Sequence, residues 1–170
     1  NDGSTDDFTL KSLNKYRDDL IIINQDNKGL PAARNTGIKA SRGLYIVCLD
    51  SDDCIDKNYV KKLVDKFIQV NDSSVAIVSP YIQAFGVSHE QWVVPEFNKE
   101  KVKYSNVIAV ASMFKKEAWM SVGGYDETFR KGFEDWEFWL SLVERGYKWS
   151  VVKEPIFYYR RKKSSMITSS

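Results

Sequence analysis

Three carboxylates crowd one short stretch of this chain, Asp50-Ser51-Asp52-Asp53, directly after the apolar run Leu44 to Leu49. Like charges at that spacing repel one another unless something positive binds among them, and hard carboxylate oxygens suit Mg²⁺ or Mn²⁺. Such an ion often takes only one or two protein carboxylates, filling its other positions with phosphate oxygens and water. Loop aspartates also serve as turn and cap residues, and the triplet alone does not separate the two uses. A calcium-binding EF-hand is excluded, because Ile55 stands where that loop needs glycine and Lys61 where it needs a bidentate glutamate. No G-x-x-x-x-G-K-[ST] run occurs, which excludes a Walker-type phosphate loop.

Two further groups carry chemistry. Asn27 through Gly37 opens a helix whose small residues surround Arg34. That guanidinium can fork onto an oxygen-rich or planar partner, or lie on the surface of an alanine-rich helix. Phe133-Glu134-Asp135-Trp136-Glu137 places carboxylates in a first helical turn, where capping alone would account for them. The same dipole would hold Asp135 ionised near neutral pH, as a general base requires. His89, the one histidine, sits in a polar stretch without a nucleophile motif and reads as a surface residue. Cys48 and Cys54 have neither metal-ligand spacing nor the partners of a disulfide framework, so they read as free thiols in a reducing compartment. The basic run Arg160-Arg161-Lys162-Lys163 reads as a solvated tail over 160–170 or as a contact for a phosphate-bearing substrate.

The elements that must position these groups alternate in type. Phe8 to Tyr16 reads as a short helix and Leu20 to Ile23 as a strand. Gly29-Leu30-Pro31 opens a helix to about Ala40, with Pro31 where its missing N–H is harmless. Leu44 to Leu49 reads as a strand covered on both faces. Lys57 to Val70 carries Val60, Leu63, Val64, Phe67 and Ile68 at helical spacing, which assigns all five to the core. Val75 to Ser79 reads as a strand ended by Pro80. Three strand–helix alternations point to a parallel sheet with helices on its faces and ligands beyond the strands' carboxyl ends, where Asp2 and Asp50 both lie. In the second half, Tyr81 to Val94 holds one or two short strands, and Val107 to Phe114 reads as another. Lys116 to Val122 is a short helix stopped by Gly123-Gly124. Glu134 to about Arg145 is a helix with Trp136, Trp139, Leu140 and Val143 on one face, ended by Gly146. Trp149 to Val152 and Ile156 to Tyr159 read as closing strands around Pro155.

The length of 170 residues suits a single domain with one sizeable core. A net charge of +2 with interspersed signs gives no global field for nucleic acid or an anionic membrane. No apolar run approaches the roughly 20 residues that span a bilayer, so membrane association would reach this segment only through parts outside it. The opening inside a turn cluster, Asn1-Asp2-Gly3-Ser4-Thr5-Asp6-Asp7, reads as a fragment whose first strand is missing.

In order and spacing, Asn1-Asp2-Gly3-Ser4-Thr5-Asp6, Asn27-x-Gly29 with Ala33-Arg34-Asn35-x-Gly37, Asp50-Ser51-Asp52-Asp53, Gly124-Tyr125-Asp126 and Glu134-Asp135 resemble glycosyltransferase family 2. The resemblance runs from Asn1 to about Ser165. It implies a GT-A fold, an α/β architecture with a Rossmann-like mixed, mainly parallel sheet flanked by helices. It also implies transfer of a sugar from a nucleotide diphosphate, usually UDP, with inversion at the anomeric carbon.

By position, Asp2 resembles the residue that bonds the base, Arg34 helps hold the nucleotide, and Asp50 with Ser51 faces the ribose. Asp52 resembles the ligand of a Mn²⁺ or Mg²⁺ ion, and Asp135 the catalytic base. Glu134 and Trp136 are implied acceptor contacts, the acceptor being a saccharide, a lipid-linked or another hydroxyl compound. A cytoplasmic enzyme of cell-surface polysaccharide synthesis is the implied setting. Where many members carry Tyr-Arg-x-His, with the histidine completing the metal site, this chain reads Tyr159-Arg160-Arg161-Lys162. A protonated lysine cannot ligate a metal, so Arg160 and Lys162 are implied contacts of the diphosphate instead. A non-catalytic nucleotide-sugar-binding domain and a nucleotidyltransferase are the competing readings.

Overall fold

The computed structural model describes residues 1–130 and 132–162. Lys163, the last of the basic run, lies outside the described residues. Helix α1 spans Asp7–Lys15, capped by Asp6, whose side chain accepts from the Thr9 amide. Helix α2, Leu30–Ala40, begins after Gly29 with Pro31 in its first turn. The remaining elements are β1 (Tyr45–Val47), β2 (Cys54–Ile55), α3 (Tyr59–Val70), β3 (Val75–Gly86), β4 (Gln91–Trp92), α4 (Lys99–Tyr104), β5 (Met113–Lys115), α5 (Lys116–Val122), α6 (Glu134–Glu144) and β6 (Lys148–Arg161).

One mixed sheet organises them in the order β1-β5-β3-β6-β2, with β4 beside β3. β3 and β6 form the long parallel pairing, from Val75↔Lys148 to Gly86↔Arg161. β5 runs antiparallel to both β1 and β3, so β1, β3 and β6 all point the same way. Helices cover both faces. Helix α3 packs Tyr59, Leu63 and Phe67 against Val78, Met113 and Phe157 on one side. On the other, Ile38 of α2, Trp119 of α5 and Phe138, Trp139 and Leu142 of α6 meet Ile77, Phe114 and Trp149. Phe114 stands edge-on to Phe138 at 5.1 Å, so much of the aromatic content is core.

Several expected elements differ, each for a physical reason. Leu20 to Ile23 forms no strand. The backbone beside it is Asn1 and Asp2, joined by one parallel bridge, Asp2↔Gln25, and Ile21 is 81% exposed. The strand expected from Leu44 to Leu49 shrinks to Tyr45–Val47, bonded on one side only, with Leu44 exposed. Val60 and Ile68 face solvent rather than core, because α3 turns Tyr59, Leu63 and Phe67 inward.

Pro80 does not end its strand, and Pro155 does not divide the last one. β3 and β6 each run through their proline, and the register shifts between Pro80 and Tyr81, opposite Val152 and Pro155. It shifts again between Tyr81 and Ile82, and this irregular stretch accommodates both missing donors. The expected strand from Val107 is a buried turn before Met113. Ser112 returns its amide and hydroxyl to the Ala109 carbonyl, Ser79 accepts from the Ala109 amide, and the Tyr59 hydroxyl donates to Ala111. Helix α4 falls between the elements expected at Tyr81 to Val94 and Val107 to Phe114, with Val102 its buried residue.

The inward face of α3 sets a stability contrast. Leu63→Ala is expected to cost about 2–5 kcal/mol. Ile68→Ala should stay within about 0.5 kcal/mol. Urea melts of both variants check this, and equal losses would refute the assigned face.

Candidate active site

The site assembles around a guanidinium taken out of water. Arg34 sits on α2, one turn after Pro31, and is 8% exposed. Its Nη2 donates to Asp50 Oδ1 at 2.8 Å and its Nη1 to Glu134 Oε1 at 2.6 Å. The ring of Tyr125 lies 5.5 Å away on a cation–π line. Burial works against the charge, but Tyr125, Asp50 and Glu134 outweigh it and raise the Arg34 pKa, so Arg34 stays a cation. One residue therefore ties the loop after β1 to the first turn of α6, two segments 84 positions apart in the chain.

Its neighbour Asn35 fixes a third segment. The buried amide donates to the Tyr125 carbonyl at 2.8 Å and to Glu127 Oε1 at 2.9 Å, while its oxygen accepts from the Tyr125 amide and the Trp119 indole. Gly124 is required beside it. At φ 93°, a Cβ there would meet Asn35 Oδ1 at 2.8 Å and the Trp119 ring at 3.1 Å. Sequence reasoning missed this structural role for Asn35, although the Ala33-Arg34-Asn35 and Gly124-Tyr125-Asp126 motifs were both visible.

The acidic triplet is balanced by the chain's own donors. Asp50 takes Arg34, and Lys162 Nζ lies 2.6 Å from Asp52 Oδ2. The Arg160 side chain donates to the Asp52 carbonyl, and its amide donates to Asp53 Oδ1, both at 2.8 Å. The other oxygen of Asp53 is buried without a partner. Burial, with the like charges of Asp50 and Asp52, pushes the Asp53 pKa up to about 6. Among the described residues no group of three or more His, Cys, Asp or Glu gathers to hold an ion. The protein would thus supply little more than the Asp52 carboxylate, a donor set that fits Mg²⁺ or Mn²⁺ where phosphate oxygens and water complete the shell.

Asp2 lies at the head of α2. Its Oδ1 accepts from Gln25 Nε2 and the Lys28 amide, and its Oδ2 from the Gly29 amide. Burial acts to raise its pKa, but these bonds prevail and lower it. A cavity of about 740 Å³ opens between α1, α2 and β1, lined by Arg34, Asp50, Ser51, Asn1 and Ser4 among others. Asp2, Asp52 and Asp135 lie outside that lining.

Glu134 and Asp135 face different ways. Glu134 is 6% exposed and locked on Arg34, so the acceptor contact expected of it gives way to an internal ion pair. Asp135 is partly exposed, with Oδ2 accepting from Asn106 Nδ2 at 2.9 Å and Oδ1 from the Trp136 amide at 2.8 Å. Burial pushes the Asp135 pKa above the ordinary carboxylate value, against the helix-terminus effect expected from sequence. Trp136 is half-buried, and its indole N–H donates to the Val102 carbonyl at 2.6 Å. His89 is exposed as expected. Cys48 is packed under Tyr125, and burial pushes its thiol pKa up, which makes it a poor nucleophile. Among the described residues no helix is long and apolar enough to cross a membrane.

Comparison with known proteins converges on one family. The sequence model described as glycosyl transferase family 2 matches residues 1–122, and one described as the N-terminal domain of galactosyltransferase matches 92–165. Chondroitin synthase of Escherichia coli is 32% identical over 154 residues, covering 85% of this chain and 22% of that protein. Glycosyltransferase GlyA of Streptococcus pneumoniae is 29% identical over 98% of this chain and 26% of its own length. The chain thus spans about a quarter or less of these relatives. Among solved structures, S. aureus TarS 1-349 in complex with UDP-GlcNAc superposes with a TM-score of 0.76 at 18% identity, over 99% of this chain and 50% of that one. This likeness shows a shared mixed α/β fold of the GT-A type. With the five motifs in order and the family's sequence model covering most of its length, the chain belongs to glycosyltransferase family 2.

Proposed function

We propose that the chain carries the donor-binding and catalytic half of an inverting glycosyltransferase that takes a nucleotide-diphosphate sugar, in the first instance a UDP-sugar. The observation that carries this reading is the buried Arg34 bridge. It holds the Asp50-Ser51-Asp52 loop and the Glu134-Asp135 turn as one unit. The UDP-GlcNAc complex of the TarS structure supports the choice of nucleotide.

On this reading Asp2 meets the base, and Asp50 and Ser51 meet the ribose at the edge of the cavity, with Arg34 holding Asp50 in place. Asp52 provides the protein oxygen for a Mn²⁺ or Mg²⁺ ion. When bound, that ion offsets the negative charge that builds on the departing diphosphate. Lys162, which pairs with Asp52, and Arg160 would supply positive charge to the diphosphate oxygens. Asp135 accepts the proton of the acceptor hydroxyl as that oxygen attacks the anomeric carbon opposite the leaving group. One displacement inverts the centre, and no covalent enzyme nucleophile is required. The acceptor is a saccharide or another hydroxyl-bearing compound, with Trp136 beside the base.

The contact between Lys162 and Asp52 also favours a second reading, a domain that binds the nucleotide sugar without turnover. One set of measurements separates the two. A thermal-shift screen of UDP-, GDP- and dTDP-sugars with and without Mn²⁺ should show UDP forms stabilising most, and Asp52→Ala should abolish the Mn²⁺-dependent part. Indifference to every nucleotide sugar would sink both readings. Asp135→Asn should keep donor binding while lowering kcat by about 10²–10⁴-fold. Binding with no turnover in the unsubstituted protein, under any acceptor, would favour the second reading. Where turnover is found, the acid limb of kcat/KM should lie above the ordinary range of a free aspartate, in keeping with the raised Asp135 pKa. A limb at or below that range would contradict the assignment of the base.

A further inference from the structure

We infer that Asn106 is the positioning residue of the catalytic base, an amide that aims the Asp135 carboxylate and favours its ionised form. The inference rests on the general-base reading of Asp135 and adds a residue that no motif of the sequence singled out.

Its geometry comes from α4. This short helix ends at Ser105, whose amide returns to the Lys101 carbonyl, and Asn106 follows at once. The Trp136 indole donates to Val102 of α4 at 2.6 Å, which pins α4 against the first turn of α6 on the residue next to the base. With that anchor in place, Asn106 Nδ2 reaches Asp135 Oδ2 at 2.9 Å. The orientation of the amide is settled by chemistry, since an ionised carboxylate only accepts and the –NH₂ end must face it.

The bond has a chemical consequence because Asp135 is otherwise pressed toward the neutral form. Burial is the largest influence raising its pKa, and the adjacent Glu134 charge adds to it. Against them stand the Asn106 amide, the Trp136 backbone N–H and the Arg34 charge. The Tyr125 phenol is buried and held neutral, and on α4 Lys103 is occupied by Glu100. Among the described residues Asn106 is therefore the one side chain that bonds the carboxylate directly, and its bond is stronger to the ionised acceptor than to the protonated one. With the Trp136 amide on Oδ1, it also limits rotation of the carboxyl group while leaving each oxygen further lone-pair capacity.

Asn106 is exposed, so replacing it removes no core packing. Carboxyl-carbon NMR of the whole chain, with the Asp135 signal assigned by its loss in Asp135→Asn, reads the effect without turnover. Asn106→Ala is expected to move the Asp135 titration midpoint to higher pH, and Asn106→Asp further, because it places a like charge opposite. An unchanged midpoint in Asn106→Ala overturns the inference. In turnover assays the acid limb of kcat/KM should shift the same way, with about a fivefold loss at its foot and under about twofold on the plateau. A uniform loss at every pH would mark a merely structural role and equally overturn it. Retained turnover in Asp135→Asn would remove the base itself and this role with it. An inactive Asp135→Asn beside an unmoved midpoint would remove Asn106 alone.

Discussion

The structure depends on a positive charge held almost entirely out of water. Arg34 is buried between Asp50 and Glu134, and Glu134 would be a buried charge lacking its ion-pair partner without it. Buried ion pairs are weak sources of net stability, since desolvation consumes most of the Coulomb gain. Their value is registry. A planar fork with two partners on different segments admits few arrangements, so α2, the loop after β1 and the start of α6 are fixed together by one side chain. Asn35, the next residue, adds the Gly124–Glu127 stretch to the same frame through three hydrogen bonds, and a fourth ties in the Trp119 indole. Two consecutive residues of α2 thus organise four separate parts of the chain.

The charge arithmetic of the acidic loop follows from that frame. Three aspartates within four positions would demand an external cation if nothing else were near. The fold instead gives each its own partner: Arg34 to Asp50, Lys162 to Asp52 and the Arg160 amide to Asp53. The partners differ in permanence. Arg34 is buried and committed, whereas Lys162 is a half-exposed ammonium on a flexible stem. Asp52 is accordingly the carboxylate that can change partner at small cost, and on the proposed reading it does so only when a diphosphate brings further oxygens for an ion. The raised pKa of Asp53 marks where the balance is incomplete, one of its oxygens having no donor.

What was legible in the sequence was local. Helix α2 is announced by Pro31, α5 and α6 by the glycines that stop them and α3 by its apolar period, and these signals act within a few turns of backbone. The acidic triplet and the Glu134-Asp135 pair were legible as chemistry for the same reason. What was not legible depended on partners distant in the chain. Pro80 looked like a strand end because nothing nearby reveals that β6 carries its own proline opposite the same bulge. The apolar run before Met113 looked like a strand because the polar side chains satisfying its turn, Ser79 and Tyr59, belong to other elements. Val60 and Ile68 fit the helical period, but the period gives the width of a stripe and not which edge of it is covered.

The Glu134-Asp135 pair shows how a motif can divide its labour by geometry alone. Successive residues of an α-helix project about 100° apart, so two neighbouring carboxylates cannot both point at one partner. With Arg34 fixed beneath the first turn of α6, Glu134 is drawn inward and Asp135 is turned toward Asn106, just after α4. The inner carboxylate neutralises a buried guanidinium, and the outer one is the proton acceptor of the proposed reading. The positive φ of Phe133, 66°, sits at this entry, where the chain must swing sharply for Glu134 to reach Arg34. Such a conformation costs a non-glycine residue on the order of 1–3 kcal/mol and persists only where surrounding contacts over-determine it. Here the ion pair inside and the stacking of Phe133 edge-on to Trp136 at 6.0 Å outside both hold it. The orientation of Asp135 is therefore coupled to the buried charge on α2 that Glu134 contacts, which is why neither residue of the pair can be understood without Arg34.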